Sequence, residues 1–173
     1  MEATVAREPD GTETPLPTFQ HHLLSDDDGG FPAELKGWEV RVLRTEMARE
    51  GFVAWYRNPS RPSQDSFGIA YLAGANVKIV RPDFIFFSRH ADGSFAADIV
   101  DPHGTFLSDA LPKLQGMARF AESHANAFRR IEAVAEVGDK LRVLDLTRTD
   151  VRSAVLTAKD AKGLYASNFA AAY

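Results

Sequence analysis

Two aspartates and a histidine between Arg81 and Gly104 have the types and spacing of a metal-dependent site. The segment reads RPDFIFFSRHADGSFAADIVDPHG, in which Asp83 lies in one apolar run and Asp101 ends the next. The ADG turn between the runs predicts a hairpin that brings the two carboxylates together. Mg²⁺ prefers hard oxygen ligands and typically takes one or two protein carboxylates. The pattern therefore indicates magnesium binding, with Mn²⁺ as an alternative cation.

Other acidic residues bear on this interpretation. Glu39 lies on the preceding predicted helix and adds a third carboxylate, with Glu46 on the same helix as a fallback. Asp98 is a weak candidate, because alternation along a strand turns it to the face opposite Asp101. Aspartate beside proline also commonly shapes a turn, so each aspartate alone fits a turn position. The metal site and the turn interpretation both stay open.

The elements that position these residues follow from periodicity. Apolar residues recur at helical spacing from residue 35 to about residue 49, from 108 to 124 and from 151 to 160. Strands are predicted over residues 52–56, 66–72, 77–87, 94–101, 129–137 and 140–146. Pro82 marks an edge, a bulge or a change of direction in the third of these. The order predicts an α/β or α+β domain, a sheet with helices packed on its faces.

Composition narrows the class of protein. A chain of 173 residues with 45% hydrophobic and 25% charged residues has room for one ordinary domain. The lack of cysteine excludes disulfides and thiolate zinc sites and fits a cytoplasmic location. No apolar run is long enough to cross a membrane, so no membrane partner is expected. A net charge of −4 argues against a phosphate-binding surface overall, although it permits a local basic cleft.

The first 32 residues differ from the remainder of the chain. They are rich in Pro, Gly, Thr and Asp, lack periodicity, and contain the adjacent pair His21 and His22. We expect residues 1–32 to be a linker or a loosely ordered arm that carries two loop histidines. Residues 33–173 are then expected to form a single domain. Oligomeric state does not follow from the sequence.

The motifs GWEVRV, FVAWYRNP, IAYL, RPDFIFF and IVDPHG occur in this order. Together they resemble the PD-(D/E)xK nuclease superfamily, and more narrowly the C-terminal nuclease domain of DEAD/DEAH helicases of the type III restriction subunit family. The resemblance spans roughly residues 35 to 125, and the WYRNP segment gives it most of its specificity. It implies a restriction-endonuclease-like mixed sheet of about five to six strands flanked by helices.

The resemblance also implies an activity and a set of site residues. It makes Asp83 and Asp101 the metal-binding carboxylates, with the Pro102 carbonyl as an additional ligand and Glu39 completing the site. The implied reaction is Mg²⁺-dependent hydrolysis of DNA phosphodiesters. The implied partners are DNA and a helicase domain in the same or a partner chain, as in restriction or phage-defence proteins.

Nucleic-acid contacts are expected around the WYRNPSR segment. Arg57, Asn58 and Arg61 are the residues that we expect to contact DNA. The neighbouring Trp55 is instead expected in the core.

One position departs from the resembling family, because His103 stands where that family has a lysine. Histidine ordinarily titrates near a pKa of about 6.5, so it can accept a proton from water or offer a neutral nitrogen to a metal. Its ring is shorter than a lysine side chain, and the preceding proline restricts its approach. Lys113, on the next predicted helix, is a second source of the missing cationic group or an ordinary exposed lysine. The alternative to a nuclease is a catalytically degenerate module that binds nucleic acid or stabilises a helicase assembly.

Overall fold

The centre of the molecule is a six-stranded mixed sheet. The structure is a computed structural model that describes residues 4–105 and 108–173. The strands, in order across the sheet, are β12 (Ala171–Ala172), β11 (Lys140–Asp145), β10 (Arg130–Val137), β9 (Phe95–Pro102), β8 (Phe84–Arg89) and β5 (Phe52–Arg57). Strands β9 and β10 are parallel, and the other neighbours are antiparallel. The coarse prediction of helices packed on a mixed sheet is confirmed.

Four helices lie on the two faces of this sheet within the described residues. They are α1 (Gly37–Met47), α2 (Ala110–His124), α3 (Thr149–Thr157) and α4 (Ala161–Ala166). One core layer lies under α1 and includes the fully buried Leu43 and Trp55. The other lies under α2, α3 and α4 and includes Leu114, Ile131 and Tyr165. The helices predicted at residues 35–49, 108–124 and 151–160 correspond to α1, α2 and α3.

The hairpin of β8 and β9 forms as the sequence predicts. Its register pairs Phe84 with Val100, and Gly93 occupies the turn at a φ of 84°. A positive φ of this kind favours glycine because other residues meet a steric clash there. In β8, Phe84, Phe86 and Ser88 are buried and alternate with more exposed residues. This register brings the residues just before β8 alongside the end of β9.

A separate hairpin packs on α2 and lies outside the central sheet. It consists of β6 (Ile69–Ala73) and β7 (Asn76–Val80). Pro82 follows β7 and marks the change of direction into β8, which is one of the three options that the sequence left open. Gly116 of α2 lies against Tyr71 so closely that a Cβ at this position would overlap the tyrosine side chain. The close contact explains a glycine inside a helix.

The described part of the predicted arm is more ordered than the sequence indicated, and residues 1–3 of it lie outside the described residues. Two hairpins form, β1 (Val5–Arg7) with β2 (Glu13–Pro15) and β3 (Thr18–Gln20) with β4 (Gly30–Pro32). The first is largely exposed, whereas Phe19 and Phe31 of the second pack against the core layer under α1.

His22 lies between these packed strands and is part of the core rather than a loop histidine. It is buried, forms a parallel bridge with Trp55 and stacks on Phe31. Burial lowers the pKa of His22 to about 4, which keeps its ring neutral. A linker or loose arm therefore does not describe residues 18–32. Long-range aromatic contacts hold this segment against the core layer under α1, and composition does not encode such contacts.

No helix in residues 4–105 and 108–173 combines the length and apolar character needed to cross a membrane.

Candidate functional site

Three carboxylates from separate elements meet beside the ends of β8 and β9, together with one arginine. We call Glu39, Asp83, Asp101 and Arg57 the carboxylate cluster. Glu39 lies in the first turn of α1, Asp83 immediately precedes β8, and Asp101 is near the end of β9. The register of the β8–β9 hairpin brings Asp83 beside Asp101, as the sequence predicted.

Glu39 links the start of α1 to this cluster. Its Oε2 accepts a hydrogen bond from the Lys36 backbone N–H at 2.7 Å. This bond satisfies one of the amide groups that a helix start leaves without an intrahelical partner. The other oxygen, Oε1, accepts from Arg57 Nη2 at 3.1 Å. Glu39 is only 4% exposed, so the cluster extends inward from the surface.

Arg57 bridges two of the acidic side chains. Its Nη2 lies 3.1 Å from Glu39 Oε1 and 3.3 Å from Asp83 Oδ1. The guanidinium also lies over the Phe84 ring, 4.8 Å from the ring centroid. The position of Arg57 on β5 places one positive charge between the Glu39 and Asp83 carboxylates.

Asp83 carries the clearest electrostatic signature of the cluster. Burial raises the pKa of Asp83 to about 7, and the charges of Asp101 and Glu39 add to this rise, while Arg57 opposes it. Asp101 Oδ1 accepts a hydrogen bond from the Asp83 backbone N–H at 3.0 Å. The negative charges of the cluster are therefore only partly compensated by Arg57.

His103 lies next to Asp101 and reaches toward α4. Its Nδ1 is 3.5 Å from Asp101 Oδ2, and its Nε2 is 3.1 Å from the hydroxyl oxygen of Tyr165. Tyr165 is fully buried, and the sequence interpretation did not include it or helix α4. The available signal was Asp160, whose side chain accepts the Gly163 N–H as an N-cap at the start of α4.

A protein-family model described as the YagJ family matches residues 20–173. This chain belongs to the YagJ family. Protein YagJ of Escherichia coli (strain K12) is 54% identical over 161 residues, which cover 93% of this chain and 66% of that protein. The chain thus spans just under two thirds of the length of this relative. No solved structure matches the chain. Every residue of the carboxylate cluster lies within the segment that the YagJ family model matches.

Three other candidate residues in this YagJ family fold are not members of the carboxylate cluster. Lys113 is on α2, where its Nζ pairs with Asp109 Oδ2 at 2.8 Å across one helical turn. Pro102 is the buried last residue of β9 and lies opposite Val134 of β10. Glu46, the fallback for Glu39, points to a different group of charges at the other end of α1.

The residues expected to contact nucleic acid have different surroundings. Arg57 is held by the carboxylate cluster, and Arg61 is exposed in the loop after β5. Asn58 is buried, and its side-chain amide donates to Phe67 O at 2.8 Å and to Pro82 O at 2.7 Å. The structure uses the Asn58 amide to join the β5 loop to the chain before β8.

A second group of charged residues, which the sequence did not single out, lies beneath helix α1. We call it the arginine network, and its members are Glu46, Asp98, Glu132, Arg129 and Arg130. Arg130 contacts all three carboxylates, and Asp98 faces this network and not the carboxylate cluster. The opposite orientation of Asp98 and Asp101 agrees with strand alternation.

The carboxylate cluster suits a hard divalent cation by the chemistry of its donors. Within residues 4–105 and 108–173, no three histidine, aspartate or glutamate side chains are spaced to hold a metal ion as they stand. Burial is the main cause of the raised pKa of Asp83, and the charges of Asp101 and Glu39 add to it against the opposing charge of Arg57. Carboxylate oxygens with uncompensated charge are the ligands that Mg²⁺ and Mn²⁺ prefer. In this YagJ family member, Asp83 and Asp101 would hold such an ion, with Glu39 beside them.

Proposed function

We propose that this YagJ family member hydrolyses DNA phosphodiester bonds with the help of Mg²⁺, or alternatively Mn²⁺. One observation carries the proposal: Glu39, Asp83 and Asp101 meet in a partly buried position, where burial first, and then the charges of Asp101 and Glu39, raise the pKa of Asp83 to about 7. Carboxylates that repel one another in a partly buried position are costly unless a cation joins them. Their placement at the ends of adjacent strands agrees with a functional role for the cluster.

Each residue of the cluster takes a part in the proposed reaction. Asp83 and Asp101 would hold the cation, with the Pro102 carbonyl as an additional ligand and Glu39 completing the site. A bound cation would neutralise charge on the phosphate and lower the pKa of a water molecule. The remaining contribution of the chain is to bind and orient the phosphate.

Arg57 and Trp38 are suited to contact that phosphate. Arg57 Nη1 and Trp38 Nε1 are buried donors with no hydrogen-bond acceptor among residues 4–105 and 108–173. Trp38 immediately precedes Glu39 and lies beside Gly104. Buried donors without an acceptor are unfavourable, so an acceptor that reached them, such as a phosphate oxygen, would relieve that cost. Arg61 is exposed and is proposed to contact DNA further along the strand.

The finer fold and biological assignments belong to the same proposal. A mixed sheet with the acidic residues beside the ends of two paired strands is compatible with a restriction-endonuclease-like fold. We infer, from the motif resemblance, that the domain works with a helicase domain in the same or a partner chain. A restriction or phage-defence protein of the cytoplasm is the setting that this inference implies.

A second function is favoured by the charges around the cluster. Arg57 already pairs with Glu39 and Asp83, and no lysine side chain among the described residues forms an ion pair with the three carboxylates. The motif that the sequence resembles contains such a lysine. A non-catalytic module that binds nucleic acid or supports a helicase assembly would keep this arrangement without any need for cleavage.

A cleavage assay separates the two functions. Wild-type protein is incubated with plasmid and short duplex DNA in Mg²⁺ or Mn²⁺, beside Asp83→Asn and Asp101→Asn. Amide oxygens keep the shape of these side chains but lose the charge, so we expect a loss of at least about a hundredfold in rate. Asp27→Asn, which changes an exposed acid in the N-terminal segment, is the matched control and should retain full activity.

The outcome decides between hydrolysis and binding. Equal cleavage by wild type and both site variants, at the level of contaminating nuclease, contradicts the nuclease. DNA binding that survives in Asp83→Asn and is lost in Arg57→Ala, measured by fluorescence anisotropy, would then support the module.

A further inference from the structure

The His103 ring lies between Tyr165 and Asp101, and each of its nitrogens has a neighbour. The hydroxyl oxygen of Tyr165 is 3.1 Å from Nε2. Nδ1 is 3.3 Å from the Asp101 carbonyl oxygen and 3.5 Å from Asp101 Oδ2. The His103 backbone N–H donates to Val134 O at 2.9 Å, which fixes the main chain that carries the ring. The imidazole is therefore held from three directions.

The direction of the bond between Tyr165 and His103 follows from burial. Tyr165 is fully buried, and burial together with the charge of Asp101 raises the pKa of Tyr165 well above its ordinary value. A buried tyrosine O–H needs a hydrogen-bond acceptor, so the Tyr165 hydroxyl is assigned as the donor of this bond. Within the described residues, His103 Nε2 is the acceptor that it reaches.

The donor role of Tyr165 fixes the tautomer of His103. A neutral imidazole has one N–H and one acceptor nitrogen, so an accepting Nε2 places the proton on Nδ1. Nδ1–H faces the oxygens of Asp101. The same carboxylate accepts the Asp83 backbone N–H on its other oxygen. Asp101 Oδ1 thus accepts a hydrogen bond from the main chain, and Oδ2 lies within 3.5 Å of His103 Nδ1.

We propose that His103 is a positioning residue for Asp101 and that Tyr165 fixes the ring tautomer which makes this possible. The role differs from that of a proton acceptor for the attacking water, which the position of His103 in the motif had implied. The lone pair of Nε2 is already used by the Tyr165 hydroxyl, and Nδ1 carries its proton toward Asp101. That Asp101 then holds a cation rests on the proposed function, whereas the tautomer does not.

The tautomer can be measured directly. Long-range ¹H–¹⁵N correlation spectra of ¹⁵N-labelled protein report which ring nitrogen is protonated, and about pH 8 keeps an ordinary histidine neutral. The chain has five histidines, and His103→Asn identifies the signal that belongs to this residue. We expect His103 with Nδ1 protonated and Nε2 unprotonated. In Tyr165→Phe we expect a mixture of tautomers, because the donor that selects one of them is gone.

Cation binding gives a second readout. Mn²⁺ is titrated into wild type and Tyr165→Phe and followed by calorimetry. Loss of a residue that orients a ligand typically weakens metal binding by about tenfold or more, and we expect a loss of this size. Tyr71→Phe, which removes a hydroxyl from another buried tyrosine, in the β6–β7 hairpin outside the central sheet, should bind Mn²⁺ as wild type does.

The tautomer measurement and the Mn²⁺ titration test different claims, so each can be contradicted without the other. A wild-type His103 protonated on Nε2, or a tautomer unchanged in a folded Tyr165→Phe, overturns the proposal whatever the activity. If Tyr165→Phe does not fold, the wild-type spectrum alone decides. Wild-type protein that neither binds Mn²⁺ nor cleaves DNA contradicts the proposed function, while the tautomer still tests the role of His103 and Tyr165.

Discussion

At the scale of single residues, the carboxylate cluster shows how a fold can keep charges close that repel one another. Asp83 is held by the β8–β9 hairpin, and Glu39 is held by its bond to the start of α1. Arg57 offsets part of the repulsion, because it pairs with both Glu39 and Asp83. The energetic cost of the cluster should then depend on pH.

Asp83→Asn should make the free energy of unfolding depend less on pH. The folded pKa of about 7 lies above the ordinary value of 3.8, so the folded protein binds more protons between these values than the unfolded chain does. The free energy of unfolding therefore falls as pH rises through this window. The free energy of unfolding of the variant should fall less. Near pH 8 we expect the variant to be more stable by about 1 to 3 kcal/mol.

Urea unfolding at several pH values measures this difference, with Asp27→Asn as the control that follows wild type. Glu132 also has a pKa raised to about 7 by burial, so the free energy of unfolding should still fall with rising pH in every variant. Parallel stability curves for wild type and Asp83→Asn would contradict the prediction.

The sequence predicted part of this site and not the remainder. Asp83 and Asp101 were expected to be neighbours because a hairpin is a local feature with a clear turn signal. The pairing of Arg57 with both Glu39 and Asp83 was not predicted, since it depends on how α1 lies over the sheet. Tyr165 is separated from His103 by 62 positions and lies on a short helix without strong periodicity, so nothing local connects the two residues.

At the scale of elements, α2 joins the β6–β7 hairpin to the domain. The sequence predicted both strands and the helix but not that the hairpin leaves the central sheet. Alternation identifies a strand but does not say which neighbour it pairs with. Gly116 is the point of closest approach, because it lets the helix backbone lie directly against Tyr71.

Gly116→Ala should destabilise the protein even though alanine favours helix. The added Cβ would overlap the Tyr71 side chain, so the hairpin must shift. Overpacking of this kind costs about 1 to 3 kcal/mol, more than the gain in helix propensity of about 1 kcal/mol. Thermal unfolding followed by circular dichroism measures the change. Gly37→Ala, in α1 with open space around the new Cβ, should leave stability equal or higher. Equal effects of the two variants would argue against the contact.

At the scale of the whole molecule, the two halves of the N-terminal segment contribute differently to the core. The β1–β2 hairpin is largely exposed, whereas the segment from Pro17 to Ala33 packs beside β5. Trp55 Nε1 donates to Gln20 O at 2.7 Å, and Pro17 O accepts the Ala33 N–H at 3.0 Å. Composition predicted a loose segment throughout. Its few aromatic residues stabilise the segment only by contact with a distant strand, and composition does not show that contact.

Two shortened chains test this division. A chain that begins at Pro17 should unfold within about 0.5 kcal/mol of the full protein, since the removed hairpin is exposed. A chain that begins at Glu34 loses Phe19 and Phe31 from the core and should be less stable by about 3 kcal/mol or more. Urea unfolding followed by tryptophan fluorescence compares the two. Equal stability of the two shortened chains would show that the segment contributes nothing to the core.

Helix α1 has a consequence for how the charges of the domain can change. Glu39 and Glu46 lie two turns apart on one face, roughly 10 Å along the axis, and each enters a different charged group. The residues that shift the pKa of Asp83 belong to the carboxylate cluster, and those that shift the pKa of Glu46 are Arg130, Tyr173 and Arg49. The helix therefore separates two sets of charged groups, and the residues that shift the pKa of Asp83 do not overlap with those that shift the pKa of Glu46. Substitutions in the two sets should therefore be additive, so that one set can evolve new chemistry while the other preserves the fold.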